Sequence, residues 1–170
     1  MKSLKNLLYA VAALVAAIAL LGAADEEAAE KPVNAYLGDN AKNCAMCHKA
    51  QVEAWKAWPM ASAWGKLSAE EQKKDECVKC HVTGFGQPGG WVSFEKTPNL
   101  VGIQCEACHG PAGDHMKVPL SDKDKKKATV TVSPAEAACL TCHVKEGNPN
   151  FKEFKFEDAK KQLANHFPAK

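Results

Sequence analysis

The feature that most constrains this chain is a pentapeptide pattern that occurs four times. The copies are Cys44-Ala45-Met46-Cys47-His48, Cys77-Val78-Lys79-Cys80-His81, Cys105-Glu106-Ala107-Cys108-His109 and Cys139-Leu140-Thr141-Cys142-His143. Each reads C-x-x-C-H. On a helical turn, residues i and i+3 share a face and i+4 lies beside them. Two thiols so placed reach the two vinyl groups on one edge of a porphyrin, and the next imidazole falls under the iron. A zinc knuckle or a redox dithiol also uses C-x-x-C, but neither needs a His directly after the second Cys. With six His in 170 residues, chance placement at all four positions is on the order of one in a million. All eight Cys fall in these motifs, so none is left for a disulfide. The chain is therefore expected to carry four covalent haem c groups. Cys44, Cys47, Cys77, Cys80, Cys105, Cys108, Cys139 and Cys142 attach them; His48, His81, His109 and His143 are the proximal iron ligands.

The N-terminus carries Lys2 and Lys5, then an almost wholly apolar run from Leu7 to Leu21, then Gly22-Ala23-Ala24 and the acidic Asp25, Glu26 and Glu27. That order reads as a signal peptide over residues 1–24, cleaved after Ala24. The alternative is an uncleaved anchor, for which the run is short of the usual span of about 20 residues. The expected location is the periplasm, with release outside the cell as a variant. Membrane association is expected only if the leader stays. Cleavage leaves 146 residues, with 20 Lys against 20 acidic residues and no Arg. Haem propionates then make the holoprotein acidic, and Lys meets them as point charges rather than as bidentate forks. No nucleic-acid partner is expected. So short a chain with four haems cannot build a large aliphatic core, so the haems themselves should form it.

Residues 25–40 read as a flexible tail, and residues 41–170 as one tetrahaem domain. The pattern predicts a helix from Asn43 to Trp58, stopped by Pro59, with a helical turn over Met60–Leu67. Ser68-Ala69-Glu70-Glu71 is a capping box. Gly84–Gly90 is irregular, and Trp91–Glu95 alternates like a short strand. The lysine-bearing stretch from Ser121 to Val132 reads as a solvated loop, with a docking patch for an acidic partner as the alternative. Ser133-Pro134-Ala135-Glu136 predicts a helix start with Ser133 as N-cap. A last helix is predicted over Glu157–Asn165. The fold class is mainly α, with short helices, long loops and little sheet wrapped around four haems.

Each iron has a second axial position. Beyond the four proximal His, the chain offers only His115 and His166. Among the methionines, Met46 sits inside a motif and Met116 adjoins His115, which leaves Met60, between Trp58 and Trp64, as the third donor. Three donors for four irons leave one iron without a partner from its own chain.

Several stretches resemble a known family: His48-Lys49-Ala50-Gln51 with Trp55-Lys56; Cys77 through His81 followed by Val82-Thr83-Gly84-Phe85-Gly86-Gln87; Leu100-Val101-Gly102; Cys105 through Pro111; Gly113-Asp114-His115; and Phe154-Lys155-Phe156. The chain is similar to the tetrahaem cytochromes c that accept electrons from hydroxylamine oxidoreductase in ammonia-oxidising bacteria. The resemblance implies that His115 completes the haem at His48, that His166 completes the haem at His109, and that the haem at His81 is five-coordinate. The family's distal His for the haem at His143 falls at Met60 here, which implies a His/Met pair on that iron.

Periplasmic electron transfer between a redox protein donor and acceptor is the expected function, with the chain a monomer and a carrier rather than an enzyme. Two alternatives belong to other classes. An open second haem suits reduction of a small ligand such as nitric oxide, and a vacant site filled by a neighbouring chain suits a subunit of an extracellular cytochrome filament.

Overall fold

A computed structural model describes residues 34–39 and 41–163. The leader, most of the expected tail, and His166 lie outside these residues. Eight short α-helices follow in order within the described residues: α1 Lys42–Ala45, α2 Lys49–Lys56, α3 Asp75–Val78, α4 Cys105–His109, α5 Gly113–Lys117, α6 Lys123–Ala128, α7 Glu136–Leu140 and α8 Phe156–Leu163. Four 3-10 turns join them, at Pro59–Ser62, Trp64–Lys66, Glu71–Lys73 and Pro98–Leu100. Among the described residues the one β feature is an isolated antiparallel bridge between Val82 and Val101. The mainly α class with little sheet is what the sequence predicts. No described helix is long and apolar enough to cross a membrane.

Apolar burial is sparse. Only ten hydrophobic side chains among the described residues are buried, and three of them are alanines. They form two small clusters. One holds Val78, Val82, Trp91 and Leu100, with Trp64 and Phe85 packed against it, and surrounds the second motif. The other holds Ala41, Val52 and Trp55 and packs on Cys44 and Cys105, so it joins the first motif to the third. Clusters of this size support little stability by themselves, and a polypeptide built this way needs its prosthetic groups as core.

Several predicted elements differ in detail. The helix predicted over Asn43–Trp58 is two helices, broken at His48, whose φ of −118° and ψ of 42° are not helical. The break falls at the motif's own histidine, where the chain turns from the attachment segment into α2. Trp91–Glu95 is no strand. The Thr97 hydroxyl accepts from Val92 N at 2.9 Å, and Thr97 N donates to Ser93 O at 2.9 Å, closing the segment into a turn. The stretch predicted as a solvated loop contains helix α6, whose N-cap Asp122 accepts from Lys125 N. Helix α7 starts at Glu136 rather than after Ser133, because Ala135 remains extended (φ −80°, ψ 164°). The capping box is present: Ser68 N and Oγ donate to Glu71 Oε2 at 2.8 and 2.7 Å, and Glu71 N donates to Ser68 Oγ at 3.3 Å.

Candidate haem-binding and electron-transfer site

Each motif folds as the spacing predicts. His48 N donates to Cys44 O at 2.8 Å and His143 N to Cys139 O at 3.0 Å, which closes one helical turn across each motif. His81 N donates to Val78 O at 2.7 Å, a tighter turn. The third motif forms helix α4 from end to end. Every motif therefore brings its two sulfurs and its imidazole to one side of a turn.

Three of the imidazoles, those of His81, His109 and His115, are held in a tautomer that leaves Nε2 free for a metal. A carbonyl oxygen only accepts, so a ring Nδ1 facing one must carry the proton, leaving Nε2 free to donate its lone pair. His81 Nδ1 lies 2.6 Å from Ala63 O, His109 Nδ1 lies 2.5 Å from Thr131 O, and His115 Nδ1 lies 2.9 Å from Lys126 O. Burial lowers the pKa of His48, helped by the nearby His115, His109 and Lys126, and burial alone lowers that of His143. Both imidazoles are therefore biased toward the neutral form that binds iron. His143 stacks on Phe154 with centroids 4.4 Å apart.

The distal candidates divide three ways. His115, on α5, faces His48: their ring centroids are 6.4 Å apart with planes tilted by 35°. Two imidazoles whose nitrogens each lie about 2 Å from a shared metal place their centroids about 6 Å apart. The pair thus fits the two axial positions of one haem iron. Met60 lines a cleft with Trp55, Trp58, Ile103, Cys105, Cys108 and His109, which puts it beside the third motif and includes no residue of the fourth. His166 lies outside the described residues.

The motifs lie near one another through their sulfurs. The Cys44 and Cys105 thiols share a hydrogen bond, which lowers the pKa of Cys44 and raises that of Cys105. Burial and the Cys142 thiol push Cys80 up to about 11. Burial, with Cys139 and Cys142 nearby, pushes Cys108 up to about 11. First and third motifs are therefore neighbours, as are second and fourth, and the third adjoins the fourth. No group of three or more His, Cys, Asp or Glu among the described residues converges as the cage of a bare ion would. Paired sulfurs with one imidazole each suit thioether attachment of haem instead.

The chain is 33% identical over 173 residues to "Cytochrome c-554" of Nitrosomonas europaea, covering 85% of this chain and 72% of that protein. The chain belongs to the cytochrome c-554 family. The family model described as "Cytochrome c554 and c-prime" matches residues 43–110, which span the first three motifs. The solved structure titled "Reduced state of cytochrome c554 from Nitrosomonas europaea" aligns with a TM-score of 0.50 at 30% identity, over 76% of this chain and 79% of that one. A shorter likeness, 33% over 78 residues, relates 41% of this chain to 23% of the "Multiheme cytochrome MtrA" of Shewanella baltica. This cytochrome c-554 relative is accordingly a multihaem electron-transfer protein with covalent haem c and redox partners.

Sequence reasoning missed the groups that hold the ligands. The carbonyls of Ala63, Lys126 and Thr131 are backbone atoms, which no side-chain pattern marks. Glu106 also escaped notice, although a charge between the two cysteines of an otherwise apolar motif was a visible signal. Its carboxylate is buried and accepts from Leu37 N, Gly38 N and Ala112 N.

Proposed function

We propose that the mature protein is a periplasmic tetrahaem carrier that passes single electrons along a continuous series of haems. The supporting observations are the four complete motifs and the shared cluster on which Cys44 and Cys105 pack, with the fourth motif near enough to the second and third to act on their thiols. Haem supplies the one-electron chemistry when bound; the polypeptide supplies attachment, axial donors and spacing. The chain's own residues take stated roles. The eight cysteines hold the groups, and His48, His81, His109 and His143 present Nε2 to the irons. His115 closes the first iron, and His166 serves the third. Met60 gives a thioether: the resemblance favours the fourth iron, while its cleft favours the third. With three distal donors for four irons, the second haem keeps an open position. The protein acts as a monomer exchanging electrons with a donor and an acceptor protein, and the leader directs export.

The experiment is mass spectrometry of the acid-treated native protein together with paramagnetic resonance of its oxidised form. Four retained haems, one of them high-spin, are expected. Fewer than four overturns the count. His115→Ala should add one high-spin haem; an unchanged low-spin count removes His115 from the ligand set. Carbon monoxide should bind one haem of the reduced wild-type protein rapidly, without displacing a side-chain ligand. If it binds none, the second haem is closed and small-ligand reduction there is excluded.

A further inference from the structure

We propose that the lysine-rich helix α6 is the device that holds His115 on the first iron, with Lys126 as its positioning residue. This rests on the reading of His115 as the first haem's distal ligand. Lys126 grips the histidine segment from two sides. Its main-chain carbonyl accepts the His115 Nδ1 proton at 2.9 Å. Its ammonium folds back to donate to His115 O at 2.5 Å and Val118 O at 2.9 Å, the carbonyls at the end of α5. Those carbonyls have no partner inside α5, and a cation at a helix C-terminus also opposes the dipole. Thr129 completes the arrangement. Its hydroxyl donates to Lys126 O at 2.6 Å and stands 3.2 Å from His115 Nδ1.

The surrounding lysines behave differently. Lys123, Lys125 and Lys127 are exposed, whereas Lys126 is half-buried. Side-chain desolvation of an ammonium is tolerated where its donors are satisfied, and two backbone carbonyls satisfy two of the three. One lysine of the run is thus turned inward to the ligand, and the others face water. A hydrogen bond from Nδ1 to a fixed carbonyl sets both the tautomer and the ring direction, and loss of such a partner ordinarily weakens metal binding 10- to 100-fold. The helix therefore determines how long His115 stays on its iron.

The test is the rate at which carbon monoxide enters the reduced holoprotein. The open second haem should bind in a fast phase. The first haem should bind in a slow phase limited by departure of His115, identified by its absence in His115→Ala. Lys126→Met keeps the carbonyl but frees α6 from the end of α5, so it should speed the slow phase by up to about tenfold; Lys126→Arg should restore it, and Lys127→Met, with the same change of charge at an exposed site, should leave it unchanged. Thr129→Val should speed it in the same sense, and it decides the matter if Lys126→Met does not load four haems. Equal slow phases in wild type, Lys126→Met and Thr129→Val overturn the proposal. If His115→Ala keeps the slow phase, it is the ligand assignment that fails instead.

Discussion

Glu106 shows how much one side chain contributes in so small a core. It is 4% exposed, yet it occupies a variable position inside the third motif. Its two oxygens accept from Leu37 N (2.9 Å to each), Gly38 N (2.7 Å) and Ala112 N (2.8 Å). It thereby pins the extended segment before α1, and the turn into α5, onto the helix that carries Cys105, Cys108 and His109. Amides buried without an acceptor cost about 1–3 kcal/mol each. Glu106→Ala strands three of them, and the holoprotein should lose about 3 kcal/mol or more of stability in denaturant unfolding. Glu106→Gln should lose less, because one acceptor oxygen remains. A midpoint unchanged in Glu106→Ala would mean that the three amides find water. Glu106 also raises the pKa of Tyr36, second to burial. The site's chemistry was legible at this scale because cysteine and histidine at fixed spacing have few other uses. The buried anion was not, because its amide donors on Leu37 and Gly38 depend on a fold that brings residues 69 and 68 positions apart into contact.

Among the elements, the loop Gly84–Gly90 does more than connect. Trp91 N donates to Gly84 O at 3.1 Å, so the loop closes on itself and delivers Trp91 into the cluster around the second motif. A Cβ at Gly90 would stand 1.9 Å from Gly84 O, against backbone that cannot swing away. At Gly86 a Cβ would meet nothing, and only its φ of +69° resists substitution. Gly90→Ala should therefore lower stability by about 2–3 kcal/mol, and Gly86→Ala by about 1 kcal/mol. Thermal unfolding of the two holoproteins ranks them, and equal shifts would mean that the loop opens freely. The composition marked this stretch as irregular, and local signals also placed the capping box and the motif turns correctly. Sequence reasoning failed where a tertiary bond decided the outcome. Thr97 folds the apparent strand at Trp91–Glu95 into a turn, and α6 forms where a run of like charge had suggested a solvated loop. In α6 the N-cap at Asp122 and the inward Lys126 supply what the charge pattern lacked. A like-charged stretch orders once one of its members has carbonyls to grip.

For the whole molecule, the proposed thioether ligation by Met60 predicts where electrons collect. A thioether is a soft, neutral donor that favours ferrous iron, so a His/Met haem has a higher potential than a bis-His haem. Met60 follows Pro59, at the start of a 3-10 turn that breaks away from α2. Trp55 and Trp58 line its cleft together with Ile103, and an apolar surround disfavours the more highly charged ferric state. Trp55 is fixed there by its Nε1 bond to Ile103 O at 2.9 Å. The same turn region reaches the second motif, since Ala63 O accepts from His81 Nδ1 at 2.6 Å. One short segment thus lies beside the third motif and holds the histidine of the second. Met60→His should lower the highest of the four potentials, and Met60→Ala should open that iron to carbon monoxide. The oxidised wild-type protein should show the near-infrared charge-transfer band of a ferric His/Met haem, and Met60→Ala should lack it. His143→Gly abolishes the band if the fourth iron bears the thioether; His109→Gly abolishes it if the third does. A wild-type protein without the band, or a Met60→Ala protein that keeps it, would leave Met60 as packing between two tryptophans, and the highest potential would then have to come from burial alone.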